Sequence, residues 1–285
     1  MQVRAYNKSG PRRRRHDGRG VLALALCALL CSLAARPAAG AFVNGVEQFN
    51  GTTKDPVTWD EYNPFSSDNA ITQNDAINFQ YVPPTFGFGS VNSDYTARTA
   101  TVGIGQAASV DVRLRTFTLP ANPPPFFLHT SFYLTDNTGA PGTSARSDNN
   151  FIELTLDPGT SGAALVGRGG NGGSHSLGTS IPGPVAFTPG SQYTLQIARP
   201  DANTARFSVF DAAGNLIGST SADVTGLPAT LYPAFGVSGF NIPPGVNYSI
   251  DFDNVRIVPE PSTAALAAAL AAPLLLARRR RISCR

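Results

Sequence analysis

The stretch ASVDVRLRTFTL, residues 108–119, decides the fold class. Val110, Val112 and Leu114 fall on one side of an extended chain, and Asp111, Arg113 and Arg115 fall on the other. That period of two marks a strand with one face buried and one face wet. The same pattern recurs on both sides of it. PFFLHTSFYLT (125–135) puts Phe126, Leu128, Thr130, Phe132 and Leu134 on one face, with Phe127, His129, Ser131 and Tyr133 opposite. Large side chains on both faces predict a central strand. QYTLQIARP (192–200) and ARFSVFDAAGNLIGSTSA (205–222) predict three sequential antiparallel strands, the last two joined by a turn at Asp211 to Asn215. In NYSIDFDNVRIV (247–258), Ile250 and Phe252 are in phase while Val255 and Ile257 are not, which predicts a bulge near Asn254. The expectation is an all-β protein, a two-sheet antiparallel jelly-roll sandwich of about twelve to fourteen strands, with the first strand (43–49) near the last. The glycine-rich GRGGNGGSHSLG (167–178) reads as a flexible loop.

The ends of the 285-residue chain differ from this middle. Residues 1–41 hold eight basic side chains against one acidic, residues 42–258 hold nine against seventeen, and residues 259–285 hold five against one. The body is therefore acidic although the whole chain carries a formal charge of +3. It has no basic stripe, so nucleic acid is not a partner. Cys27, Cys31 and Cys284 all lie in the end segments, which leaves the body without a disulfide framework or a cysteine metal site. At the N-terminus, arginines precede the apolar run VLALALCALLCSLAA (21–35), and Ala39 and Ala41 supply small residues at a cleavage site. This reads as an export signal over residues 1–41, short for a spanning helix and compatible with either the general or the twin-arginine route.

The tail from 259 reads as a third segment. Pro259 and Pro261 have no backbone N–H and bias their neighbours toward extended geometry, which frames Glu260 in a stiff, exposed dipeptide open to a processing enzyme. Sixteen uncharged residues follow, 262–277, about 24 Å long as a helix. Pro273 would kink that helix, and Arg278, Arg279, Arg280 and Arg281 would hold its far end at the cytoplasmic headgroups. The order of parts, VPEPS then an apolar run then an arginine cluster, resembles the PEP-CTERM sorting signal of Gram-negative bacteria. The alanine-rich, slightly short apolar run and the closing ISCR depart from that pattern. The resemblance implies export, a transient inner-membrane anchor, processing at Pro259, Glu260 and Pro261 by an exosortase-type transpeptidase, and a destination at the cell surface or in the extracellular matrix.

A second resemblance covers most of the body, 42–258. EQFNGTTKDPVTWDEYNP (47–64) followed by AITQNDAINFQ (70–80), the run 193–219 and the closing YSIDFDNVRI (248–257) resemble concanavalin A-like lectin/glucanase, or laminin-G-like, domains. That family implies either sugar binding or glycoside hydrolysis. The β-glucanases carry a row of carboxylates on one strand. The nearest counterpart, FIELTLD (151–157), spreads Glu153 and Asp157 about 13 Å apart with Thr155 between them. Catalytic carboxyl pairs sit about 5–9.5 Å apart, so the row reads as broken and the domain as non-catalytic. Asp251 and Asp253, about 7 Å apart on one strand face, read as polar surface residues with Asp253 serving the bulge. The alternatives are a secreted carbohydrate-active enzyme and a purely structural surface protein. For a binding module the candidate glycan contacts are Phe127, His129, Tyr133 and Trp59, although core burial competes for the single Trp and a packed role competes for His129. No cofactor is implied. Oxygen-rich turns at Asp136, Asp148 and Asn150 are weak calcium candidates, because backbone turn chemistry explains such residues equally well.

Overall fold

The computed structural model describes residues 42, 45–82, 87–137, 144, 146, 150–159, 161–170 and 173–260. The segment expected to be an export signal, with Ala39 and Ala41, the apolar tail with Pro261 and Arg278 to Arg281, and Asp148 all lie outside the described residues. Sixteen strands form among the described residues, more than the alternation predicts. In chain order they begin with β1 (Val46–Glu47), β2 (Trp59–Tyr62), β3 (Asn69–Gln73), β4 (Ile77–Tyr81), β5 (Gly89–Ala97) and β6 (Val102–Gly103). Next come β7 (Gln106–Thr118), β8 (Phe127–Thr135), β9 (Phe151–Leu156), β10 (Ser161–Gly170) and β11 (Gly173–Ala186). The last five are β12 (Gln192–Arg199), β13 (Thr204–Asp211), β14 (Leu216–Asp223), β15 (Thr230–Ile242) and β16 (Asn247–Pro259).

The strands build two antiparallel sheets. One runs β14-β13-β12-β7-β16-β4-β3 with β1 on β16, and the other runs β11-β10-β9-β8-β15-β5-β2 with β6 on β15. The first strand therefore pairs with the last, as expected, and β8 is central in its sheet. Between the sheets Val110, Val112 and Leu114 of β7 meet the fully buried Phe132, Leu134 and Phe235 of the other layer in one apolar cluster. Phe235 of β15 and Phe252 of β16 stack across the layers with ring centroids 4.7 Å apart. The buried hydroxyls of Thr130 and Tyr248 satisfy each other at 2.6 Å, so the core leaves neither polar group unpaired.

Two local readings fare differently. The bulge sits where the phase break put it: the β16–β7 register shifts between Asp253 and Arg256, and Asn254 adopts a φ of 50°. Asn tolerates that left-handed conformation better than a branched residue would. The described residues of the glycine-rich stretch are strand, not loop. Gly167 pairs with Ser176 and Gly170 with Gly173, so its described residues lie in two paired antiparallel strands, β10 and β11, with β11 at the sheet edge. Composition misleads here because a ladder needs only backbone N–H and C=O groups.

Candidate functional site

The outward face of the β8 sheet carries most of the residues that sequence singles out. Tyr133 lies opposite Ala234 of β15 and Glu153 of β9, and Ser131 lies opposite Gly236 and Thr155. Residues 136 and 150 are tied together: the Asp136 N–H donates to the Asn150 carbonyl at 2.9 Å, and Asn150 returns two hydrogen bonds to the Asp136 carboxylate at 2.8 and 2.7 Å. Ser144 then donates to Asp94 at 2.7 Å. Arg146 lies across the face. Its guanidinium donates to Ser131 at 2.9 Å, to Ser238 and to Glu153, and it sits 4.8 Å from the Tyr133 ring centroid. Burial pulls against the Arg146 charge, but Tyr133, Glu153 and Asp94 outweigh it and hold its pKa above the ordinary value. Burial also pushes the Tyr133 phenol well above its usual range.

This arrangement corrects two candidates. Tyr133 is on the predicted face yet fully buried under Arg146, so no sugar can stack on it. Trp59 is only 2% exposed and packs between Phe42, Phe49, Tyr95 and Phe235, in the core rather than on a surface. Phe127 and His129 remain accessible at the other end of β8. Their rings stack at 5.2 Å, and the Phe127 ring lies 6.2 Å from that of Phe240 on β15. Phe127 is 46% exposed and Phe240 53%, which makes an aromatic ledge at the surface. His129 Nδ1 pairs with the Asp157 carboxylate and so turns its ring against Phe127.

Phe240 and Arg146 escape a sequence reading for different reasons. Phe240 ends a face otherwise made of Ala234, Gly236 and Ser238, and a lone aromatic among small residues was a usable signal. Arg146 belongs to a turn-like run with no period, so nothing local tells where it points.

The row Glu153, Thr155 and Asp157 shares this face as predicted. Glu153 is paired with Arg146, Thr155 with the Ser131 hydroxyl at 2.8 Å, and Asp157 with His129. The other sheet holds a 380 Å³ groove floored by Asp111, Arg113, Arg115, Asp251 and Asp253. Asp111 faces Asp253 across the strands and is taken up by Arg256 at 3.0 and 3.1 Å. Asp251 accepts from Asn78 at 2.8 Å and pairs with Arg115. Burial, with the facing Asp111, pushes the Asp253 carboxyl up to about 6, while the Asn254 N–H at 2.6 Å pulls it back. Among the described residues no group of three or more His, Cys, Asp or Glu side chains is placed to hold a metal ion. Of the calcium candidates, Asp136 and Asn150 bind each other.

The proline-bracketed Glu260 gives a third correction, to its expected exposure. Pro259 closes β16 opposite Gln106, and the Glu260 N–H donates to the Gly105 carbonyl at 2.8 Å. The Glu260 carboxylate pairs with Arg206, and its side chain is only 9% exposed. The stiffness that two prolines impose does not carry exposure with it: the glutamate is docked on the sandwich.

No protein-family model matches the chain, and no curated protein matches it. Solved structures similar to it include a Bacillus licheniformis β-glucanase, at 12% identity over 75% of this chain and 96% of that one, TM-score 0.49. The Ca2+/Man3GlcNAc-bound exoplasmic/lumenal domain of VIP36 is 13% identical over 75% and 90%, TM-score 0.48. A Lotus tetragonolobus seed lectin is 13% identical over 74% and 96%, TM-score 0.45. At such values the likeness is one of overall layout and says nothing of what this chain binds.

Proposed function

We propose that this is an exported surface or matrix protein whose sandwich is a non-catalytic, lectin-like module for polysaccharide. Its C-terminal motif would be processed by an exosortase-type transpeptidase. The observation that carries the binding half is the Phe127–His129–Phe240 ledge. Exposed aromatic faces beside a fixed carboxylate offer what a sugar ring needs, an apolar platform for its C–H face and a polar group for its hydroxyls. Asp157 supplies that carboxylate at the rim. The non-catalytic half rests on Thr155 in the middle of the row, on the pairing of Glu153 with Arg146, and on the pairing of Asp251 with Arg115 in the groove of the other sheet. Export and processing rest on the sequence signals at the two ends.

The test is titration of the full chain, purified in detergent, against bacterial exopolysaccharides, with calcium and then with chelator. Phe127→Ala and Phe240→Ala are each expected to weaken binding roughly three- to tenfold, the range of one aromatic stacking contact. Binding that survives both substitutions together would refute the ledge. Binding lost only with chelator would move the site to the Asp136–Asn150 contact. Release of reducing sugar from the same samples would favour the enzyme reading, with Asp251 and Asp253 the carboxylates to substitute.

A further inference from the structure

The docking of Glu260 bears on how the tail can be processed, and the inference rests on the processing reading proposed above. We infer that the sandwich binds its own sorting glutamate and thereby competes with the processing enzyme for it. Two separate groups of Glu260 are occupied. Its N–H is used by the Gly105 carbonyl at 2.8 Å, and Gly105 is itself fixed in a left-handed turn (φ 79°) by donating to the Arg199 carbonyl at 2.6 Å. Its carboxylate crosses the strand ends to Arg206 on β13, three places from β16 in the sheet. A transpeptidase must take this stretch of chain as an extended peptide with its main-chain groups and the glutamate side chain available. Both contacts have to open first.

The latch is built to open. Oε2 of Glu260 is buried without a hydrogen-bond partner among the described residues, so the dock is incompletely satisfied. Arg206 is 46% exposed, and water screens its half of the pair. Among the described residues Glu260 is held by one main-chain hydrogen bond and one ion pair, and a strand end so held opens locally far more readily than the core unfolds. The rate of processing then equals the rate on free peptide multiplied by the fraction of molecules with Glu260 released. The sandwich is part of the substrate, and Arg206 sets how much of it is available.

Pulse–chase labelling of the full chain in its native host, with the shortening of the precursor followed on gels, tests this. Arg206→Ala is expected to shorten the half-time about two- to fivefold, the release expected on losing one screened pair. Arg206→Lys should keep close to the wild-type half-time. Lys54→Ala, which removes a comparable partly exposed pair with Glu61 on β2, should leave it unchanged and controls for general loosening of the fold. Cleavage of wild type and Arg206→Ala at equal rates would overturn the latch and leave the processing reading standing. A wild-type chain that is never shortened would overturn both.

Discussion

Arg146→Ala tests the covered face of the β8 sheet. The Arg146 and Glu153 side chains are 18% and 13% exposed, so the substitution strands a mostly buried carboxylate. Breaking one partner out of a buried pair costs about 3–5 kcal/mol. The lost guanidinium over Tyr133 adds about 0.5–2 kcal/mol. Ser131 and Ser238 can rotate their hydroxyls to other partners, and Ser131 already has Thr155 at 2.8 Å, which offsets part of the loss. A net destabilisation of about 3–4 kcal/mol is expected, or roughly 6–16 °C in Tm for a domain of this size. Urea unfolding can be followed through Trp59, the single tryptophan and a core residue, whose emission should move to the red as it meets water. The decisive comparison is with Arg146→Met/Glu153→Leu, in which no charge is left behind. That pair of substitutions should recover to within about 1 kcal/mol of wild type. A single variant that loses less than 1 kcal/mol, or a double variant as unstable as the single, would show that the ion pair does not hold this face.

Three further outcomes are expected. Asp253 has a folded-state pKa of about 6, above its unfolded value, so the folded protein holds the extra proton between pH 4 and 6 and stability falls as pH rises through that window. Asp253→Asn should remove that dependence and stabilise the protein at pH 7 by about 1 kcal/mol, the size left after allowing for partial solvent exposure; an unchanged slope in a pH series of urea melts would contradict it. A Cβ at Gly236 would come within 2.1 Å of the Ser93 carbonyl oxygen on β5, so Gly236→Ala should cost about 1–3 kcal/mol in the same melt, and a neutral result would mean the β15–β5 ladder can give way. Asn254→Val should lose about 1–3 kcal/mol more than Asn254→Gly, because both lose the amide's hydrogen bond to Asp111 at 3.0 Å but only valine is strained by the φ of 50°.

The sequence carried those parts of the fold that depend on which side chains are apolar. Val110, Val112 and Leu114 announce their inward face, and Val255 breaks step with Phe252 because a bulge intervenes at Asn254. It was silent where the backbone alone makes the structure, as in the Gly167–Ser176 pairing. At the candidate site the face of Phe127, His129 and Tyr133 was legible from alternation. The roof over Tyr133 was not, because Arg146 belongs to none of the strands, and no alternation says that its guanidinium lies against Tyr133, Ser131 and Glu153. Glu260 shows the same limit. Local stiffness was readable from two prolines, but the Arg206 partner lies 54 positions away in the chain and no local pattern points to it.

The position of β16 has a consequence for the order of assembly. It is the last described strand in sequence, yet it lies between β7 and β4 and supplies Tyr248, Ile250, Phe252 and Val255 to the core. Until residues 247–259 arrive, β7 and β4 have no common neighbour and their sheet stays in two parts, each with an open edge. The loop closures that bring β4 and β16 together span about 170 residues, a long-range contact of the kind that slows folding. The last described strand in sequence is therefore the one that joins the two parts of its sheet, and the chain up to residue 246 lacks the strand that makes that sheet continuous.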